Sequence, residues 1–273
     1  TAQLIDELSL GVSMIPAHVR MGTEIYGFLK SASGATELHS MHELIWTKVA
    51  SVLGDSYPSF PHISRADELA LQKPFFHRLW RSSVSDLANA IGDKAQPPER
   101  FAELSRETNE KNAIHKNGLR SFAQTYDLEL RGIIDVAGET AADIVHHLAQ
   151  QEAQQKLSPT PEERAVCVNA CRNLLYQAFK KSTTRDALRS IHVSTSIHAG
   201  MRWDKSRRFK PNDYYDFEHA IAALTYCNAF LTEGSLHHLV TRPQLNLEAV
   251  NGCRVFSDIK EAADYIGQLV SSG

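Results

Sequence analysis

From residue 36 to about residue 200 the apolar residues recur near the 3.6-residue period of an α-helix, and this pattern decides most of what the chain can become. Leu38, Met41, His42, Ile45, Val49 and Val52 or Leu53 follow it, as do Leu69, Phe76, Leu79, Trp80, Val84, Leu87 and Ile91. A third stretch, 97–156, carries Ile114, Leu119, Phe122, Tyr126, Leu130, Ile134 and Ile144, with Gly118, Gly132 and Gly138 as points of interruption. Pro159 and Pro161 break the chain, and Thr160 with Glu163 forms a capping-box pattern for a further helix. One more helical stretch covers 184–198. Breaks are expected at 57–64, 92–99 and 156–162, each too short for a flexible interdomain linker.

The two ends read differently. Gly11–Pro16 is an apolar run of strand length between helical patterns at Ala2–Leu10 and Val19–Lys30. After residue 200, a helix at Asp213–Tyr226 leads into Asn228–Thr232, then a short helix or turn at Ser235–Thr241. A second run, Cys253–Phe256, precedes a final helix capped by Ser257 or Asp258. Alternating helices and strands point to a parallel sheet with crossovers, and the runs 12–15, 228–232 and 253–256 are read as one sheet. The expected fold class is therefore α/β but predominantly helical. Residues 1–30 and 201–273 form the α/β core and 31–200 an all-α insertion.

Composition removes whole classes of alternative. The 42% hydrophobic content is enough for a sizeable core, which excludes disorder of the whole chain. Lys and Arg number 29 against 32 Asp and Glu, which argues against a histone-like polycation but leaves room for a local nucleic-acid site. No apolar run approaches the roughly 18 residues of a membrane span, and the start does not read as a secretory signal. Cys167, Cys171, Cys227 and Cys253 include no CxxC pair. They read as small buried residues in a reducing compartment, so a cytoplasmic location is expected. HExxH, GxSxG, Walker and GxGxxG patterns are absent, so serine or cysteine nucleophiles have no local support.

The chemistry-bearing segment is 211–239, PNDYYDFEHAIAALTYCNAFLTEGSLHHL. Asp213 and Asp216 are three apart at a helix start and share a face, although Asp213 also suits an N-cap. His219 follows three residues later, ahead of a small-residue face, Ala220 to Leu224. Thr232 and Glu233 stand at the carboxyl end of the next strand, where open α/β sheets place ligand sites.

The order D-x-x-D-x-x-H-A-x-A-A-L-x-Y-C-x-x-F-x-T-E-x-x-L resembles the C-terminal half of PIN-like nucleases. Ile15-Pro16-Ala17-His18-Val19 followed by Glu24 resembles that family's second strand and the helix carrying its second acid. The resemblance covers roughly 30 residues at the start and 60 at the end. It implies a three-layer α/β/α core with a short parallel sheet, interrupted here by the helical insertion. It also implies a metal-dependent endonuclease, acting on RNA rather than DNA, of toxin or phage-defence type. Glu24, Asp216 and Glu233, with Asp213 and Asn228 assisting, would be its acids and ligands for Mg²⁺ or Mn²⁺, oxygen-seeking ions that activate water at phosphodiesters. The chain departs from the pattern at two points. No strand ending in the family's first Asp precedes Ala2–Leu10, and Asp6 is a poor substitute within a helix; such a strand upstream of Thr1 would restore the first acid. Asn228 stands where the family often has Asp, which keeps an oxygen ligand but loses a charge.

Five cations in nine residues, Arg202, Lys205, Arg207, Arg208 and Lys210, precede the acids, with Trp203 and Phe209 interleaved. Such a stretch suits phosphate contacts and base stacking, with His219 as an added contact. The incomplete acid set leaves a second expectation open: a protein of this family that binds nucleic acid or a protein partner without cutting. The helical insertion is the expected surface for a homodimer or protein partner, and no membrane partner is expected.

Overall fold

The computed structural model describes residues 2–32, 34, 39–48, 62–92, 99–115, 118–155 and 158–272. Leu38, Val49, Val52 and Leu53, and the breaks expected at 57–61, 93–98 and 156–157, lie outside the described residues. The described chain is predominantly helical. It groups into two compact units, residues 1–20 with 38–96, and residues 21–37 with 97–273. Among the described residues no helix is long and apolar enough to cross a membrane.

The first unit contains α1 (Ala2–Ser9), β1 (Val12–Met14), the start of α2 (Ala17–Ala32), α3 (Met41–Leu44), β2 (Trp46–Lys48), α4 (Arg65–Trp80) and α5 (Val84–Ile91). It corrects the single-sheet expectation. The strand β1 pairs antiparallel with β2, in the register Val12↔Lys48, Ser13↔Thr47 and Met14↔Trp46. The helical reading through Ile45 fails for the same reason. Ser40 and Glu43 close a capping box, Glu43 Oε2 accepting from the Ser40 N–H at 2.8 Å, but the helix stops after one turn. Trp46, Thr47 and Lys48 then alternate outward and inward with a period of two, and aromatic and β-branched side chains favour the pleated surface. Asp6 has a local task. Its carboxylate accepts from the Val84 and Ser85 N–H groups, at 2.7 and 2.9 Å, and from the Ser85 hydroxyl at 2.5 Å. It thereby satisfies two of the donors left open at the start of α5. Phe76 and Trp80 stack on one another, with ring centroids 5.6 Å apart, and are exposed.

The second unit holds the remainder of α2, α6 (Glu99–His115), α7 (Phe122–Ala153), α8 (Pro161–Ala178), α9 (Ser182–Ala187), α10 (Arg189–Trp203) and α11 (Asp213–Tyr226). It continues through β3 (Ala229–Leu231), α12 (Gly234–Val240), α13 (Glu248–Asn251), β4 (Arg254–Phe256) and α14 (Ile259–Ser272). Thr160 and Glu163 cap α8 reciprocally as the sequence pattern requires, at 2.8 and 3.2 Å. Asp258 caps α14 by accepting from the Glu261 N–H at 2.9 Å. The helix α7 runs unbroken through Gly132 and Gly138. Gly138 is needed for closeness: a Cβ there would stand 2.3 Å from Arg172 Cγ, whose guanidinium crosses to the Asp135 carbonyl.

Two apolar cores form in this unit. Ile25, Leu130, Ile134, Ala141, Leu175 and Ile191 join α2, α7, α8 and α10 in a helical core. Val193, Ile197, Met201, Phe217, Leu224 and Leu239 join α10, α11 and α12 in the other. So α10 runs through the boundary expected near residue 200 and supplies both cores. The strands β3 and β4 pair in parallel, Ala229↔Arg254 through Leu231↔Phe256, as a two-stranded sheet separate from β1–β2.

Candidate nucleic-acid interface

The sequence-nominated acids meet very different surroundings. Glu24 is 1% exposed. Its carboxylate accepts from the Ser190 N–H at 3.0 and 3.1 Å, from the Ser190 hydroxyl at 2.7 Å and from the Tyr226 hydroxyl at 2.5 Å. Ser190 is in the first turn of α10, so Glu24 supplies acceptor and charge to that helix's open N–H groups from far away in the chain. Burial is tolerable because the carboxylate is amply hydrogen-bonded.

Asp213 is 9% exposed and opens α11, where its Oδ2 accepts from the Lys210 N–H at 2.9 Å. Asn212 occupies the N-cap position instead. Asp216, His219, Asn228 and Glu233 are all exposed. The Asn228 carbonyl accepts from the Arg254 N–H at 3.0 Å, which ties its backbone into the β3–β4 pair. Among the described residues no three His, Cys, Asp or Glu side chains stand together as metal ligands would. The Glu24 oxygens are taken up inside the helical core by Ser190 and Tyr226, whereas Asp216, Asn228 and Glu233 are exposed.

The basic segment is shaped by side chains that the sequence alone does not nominate. Asn109 on α6 exchanges two hydrogen bonds with the backbone of Phe209, N–H to Oδ1 and Nδ2 to carbonyl, both at 2.9 Å. Phe209 is 6% exposed and packs against His198, Tyr214 and Phe217. It is a core residue, which corrects the expectation that it offers a face for base stacking. Burial holds the His198 imidazole below its ordinary range, so this cluster stays uncharged near neutral pH.

The cations then divide by partner. Arg202 donates to Glu129 Oε1 at 2.6 Å, both side chains being mostly covered, and its Nε is buried without a partner among the described residues. Arg207 donates to the Ser235 carbonyl at 2.8 Å and hydroxyl at 3.1 Å. Burial lowers the Arg207 guanidinium from its usual value, and the nearby Asp213 charge opposes that. Ser235 follows Glu233 by two residues, so Arg207 links the basic loop to the first turn of α12. Lys205 is exposed beside the Trp203 ring, its Nζ 5.6 Å from the centroid. Arg208 and Lys210 are exposed. Asp204 is withdrawn from the cations by Arg242, at 2.6 Å, which with Ser206 holds its carboxyl at about 2.

A groove of about 400 Å³ lies between α6 and the loop after α10, and Lys210 is outside its lining. Arg106, Arg202, Lys205, Arg207 and Arg208 line it, against the carboxylates of Glu110 and Asp204. Arg106 is the addition that sequence reading missed; only its i,i+4 pairing with Glu110, at 2.9 Å, was visible in the spacing, and that reads as an ordinary helix-surface pair. Comparison of the chain with protein-family models, with curated proteins and with solved structures finds no match.

Proposed function

We propose that this chain is a PIN-like protein that binds single-stranded nucleic acid, RNA in preference to DNA, through phosphate contacts in the basic groove, without cutting it. The observation that supports this reading is the groove itself, in which five cations face two carboxylates and one of those carboxylates is bound by Arg242. Cations in a partly enclosed groove act on a phosphate backbone in a medium less screening than bulk water. Arg208 and Lys205 are exposed and able to take phosphates directly, while Arg207, Arg202 and Arg106 are engaged by Ser235, Glu129 and Glu110. The preference for RNA rests on the family resemblance.

Fluorescence anisotropy with a labelled single-stranded RNA, measured across a salt series, tests the proposal. The expected result is saturable binding that weakens with salt. In a Lys205→Ala/Arg208→Ala variant the slope of log K against log salt should fall by about 0.7 for each cation removed. An unchanged slope in that variant would sink the reading.

Cleavage is the second reading. It is favoured by the exposure of Asp216 and Glu233 and by the Arg207–Ser235 contact, which holds the basic loop to the first turn of α12 two residues beyond Glu233. The same RNA incubated with Mn²⁺ separates the two. Intact RNA is expected for a binder; cleavage lost in Asp216→Ala would establish the nuclease.

A further inference from the structure

A second candidate site in the second unit lies away from the basic groove. A cavity of about 610 Å³ opens between α7, the end of α8, α9, α10 and the turn around Asn246. That volume is in the range of small-molecule sites. Its floor is polar but uncharged. The Tyr126 hydroxyl and His192 Nδ1 are hydrogen-bonded at 2.8 Å, with the rings edge to face. Desolvation pushes the Tyr126 hydroxyl up to about 12 and the His192 imidazole down to about 4, so both are neutral under ordinary conditions. The hydrogen bond uses one imidazole nitrogen and leaves Nε2, on a residue that lines the cavity, for another partner.

The rim is charged and aromatic. The Arg185 guanidinium lies 5.8 Å from the Tyr126 ring centroid, and Lys180 Nζ lies 5.7 Å from that of Tyr176. Both cations are exposed. Two carboxylates share the lining, Asp127 and Asp186. Asp127 is already engaged, accepting from the Tyr176 hydroxyl at 2.6 Å and from Arg131 Nε at 2.9 Å. Lys180 also acts on the Asp127 carboxylate through its charge, helping to lower it. The site thus combines an aromatic wall, neutral hydrogen-bonding groups and two exposed cations.

We propose that this cavity binds a mononucleotide, its base against Tyr126 and His192 and its phosphate between Lys180 and Arg185. A flat heteroaromatic ring suits the Tyr126 face, and its polar edge suits neutral donors and acceptors such as His192 Nε2. A phosphate monoester suits a pair of cations, one of them a planar guanidinium. The site stands apart from the phosphate groove around Arg208 and does not depend on the reading given to that groove.

Calorimetric titration of the full chain with AMP, GMP, CMP and UMP tests it, with adenosine and inorganic phosphate as the two half-ligands. At least one mononucleotide is expected to saturate in the micromolar to submillimolar range, with both half-ligands weaker. Lys180→Ala/Arg185→Ala should weaken that mononucleotide by about tenfold or more, the size of one lost charge-assisted contact, and should weaken adenosine by less. Tyr126→Phe, which keeps the ring, should weaken adenosine and the mononucleotide alike. The Lys205→Ala/Arg208→Ala variant should bind the mononucleotide as the parent does. Failure of all four nucleotides to saturate, inorganic phosphate binding as tightly as the best of them, or indifference to the Lys180/Arg185 change would overturn the proposal.

Discussion

The starts of α10 and α11 pose the same physical problem and solve it in opposite ways. Each helix begins with backbone N–H groups that have no partner within the helix and with the positive end of its dipole. At α10 the answer comes from outside, because Glu24 reaches Ser190 across 166 positions of sequence and is buried in doing so. At α11 the acids are the helix's own. Asp213 turns back to the Lys210 N–H and Asp216 stays in solvent. The lesson concerns chemical availability. A carboxylate that serves as an internal cap has its oxygens taken, whereas an exposed acid in a helix's first turn keeps them. The family resemblance, which placed Glu24 and Asp216 in the same catalytic set, is blind to that distinction.

Removing the distant cap is the harshest test of this contrast. Glu24→Ala should destabilise the protein by about 4 kcal/mol, since it leaves the Ser190 N–H and hydroxyl and the Tyr226 hydroxyl as buried groups missing their acceptor. Glu24→Gln keeps an acceptor oxygen and should recover part of the loss. Urea unfolding of both variants measures this. If Glu24→Ala costs less than about 1 kcal/mol, the carboxylate is not a structural cap and its nomination as a functional acid revives.

What the sequence made legible, and what it did not, follows the same line. The capping box at Thr160 and Glu163, the Asp258 cap, and the strand runs at Ala229–Leu231 and Arg254–Phe256 are local features, written within a few residues. They were readable because each is settled by neighbours in the chain. The caps provided by Glu24 and Asp6 were not, since Ser190 and Ser85 are brought to them only by tertiary packing. The strand Trp46–Lys48 was hidden by its length, because three residues give too little alternation to defeat the helical period around it. In the candidate site the loop cations were legible by composition. Their sorting was not: Arg202 bound by Glu129, Phe209 fixed by Asn109 and Arg106 added from α6 all come from other elements.

A second contrast lies one step into each helix and is smaller. His192 in α10 is mostly covered and bonded to Tyr126, whereas His219 in α11 is exposed. Burial lowers the His192 imidazole from 6.5 to about 4. Between those values the unfolded chain takes up a proton that the folded chain refuses. The stability contributed by neutral His192 is therefore full above about pH 6.5 and is lost as the pH falls towards 4. Between pH 7 and pH 5 the loss should be about 2 kcal/mol. His198, also held low by burial, acts in the same direction, so the variant isolates the contribution. His192→Gln should unfold with a visibly smaller difference between the two pH values. An unchanged difference would assign the acid sensitivity to His198 instead.

The smallest effects belong to the acids of α11, and their smallness is what separates stability from function there. Asp213→Ala removes one acceptor from the Lys210 N–H in a mostly covered position and should cost about 1 kcal/mol. Asp216→Ala changes an exposed residue and should stay within about 0.5 kcal/mol of the parent in urea unfolding. Because Asp216 is structurally dispensable on this account, any change in RNA handling by Asp216→Ala reports on chemistry and not on folding. A destabilisation by Asp216→Ala approaching that of Glu24→Ala would erase the contrast between the two helix starts.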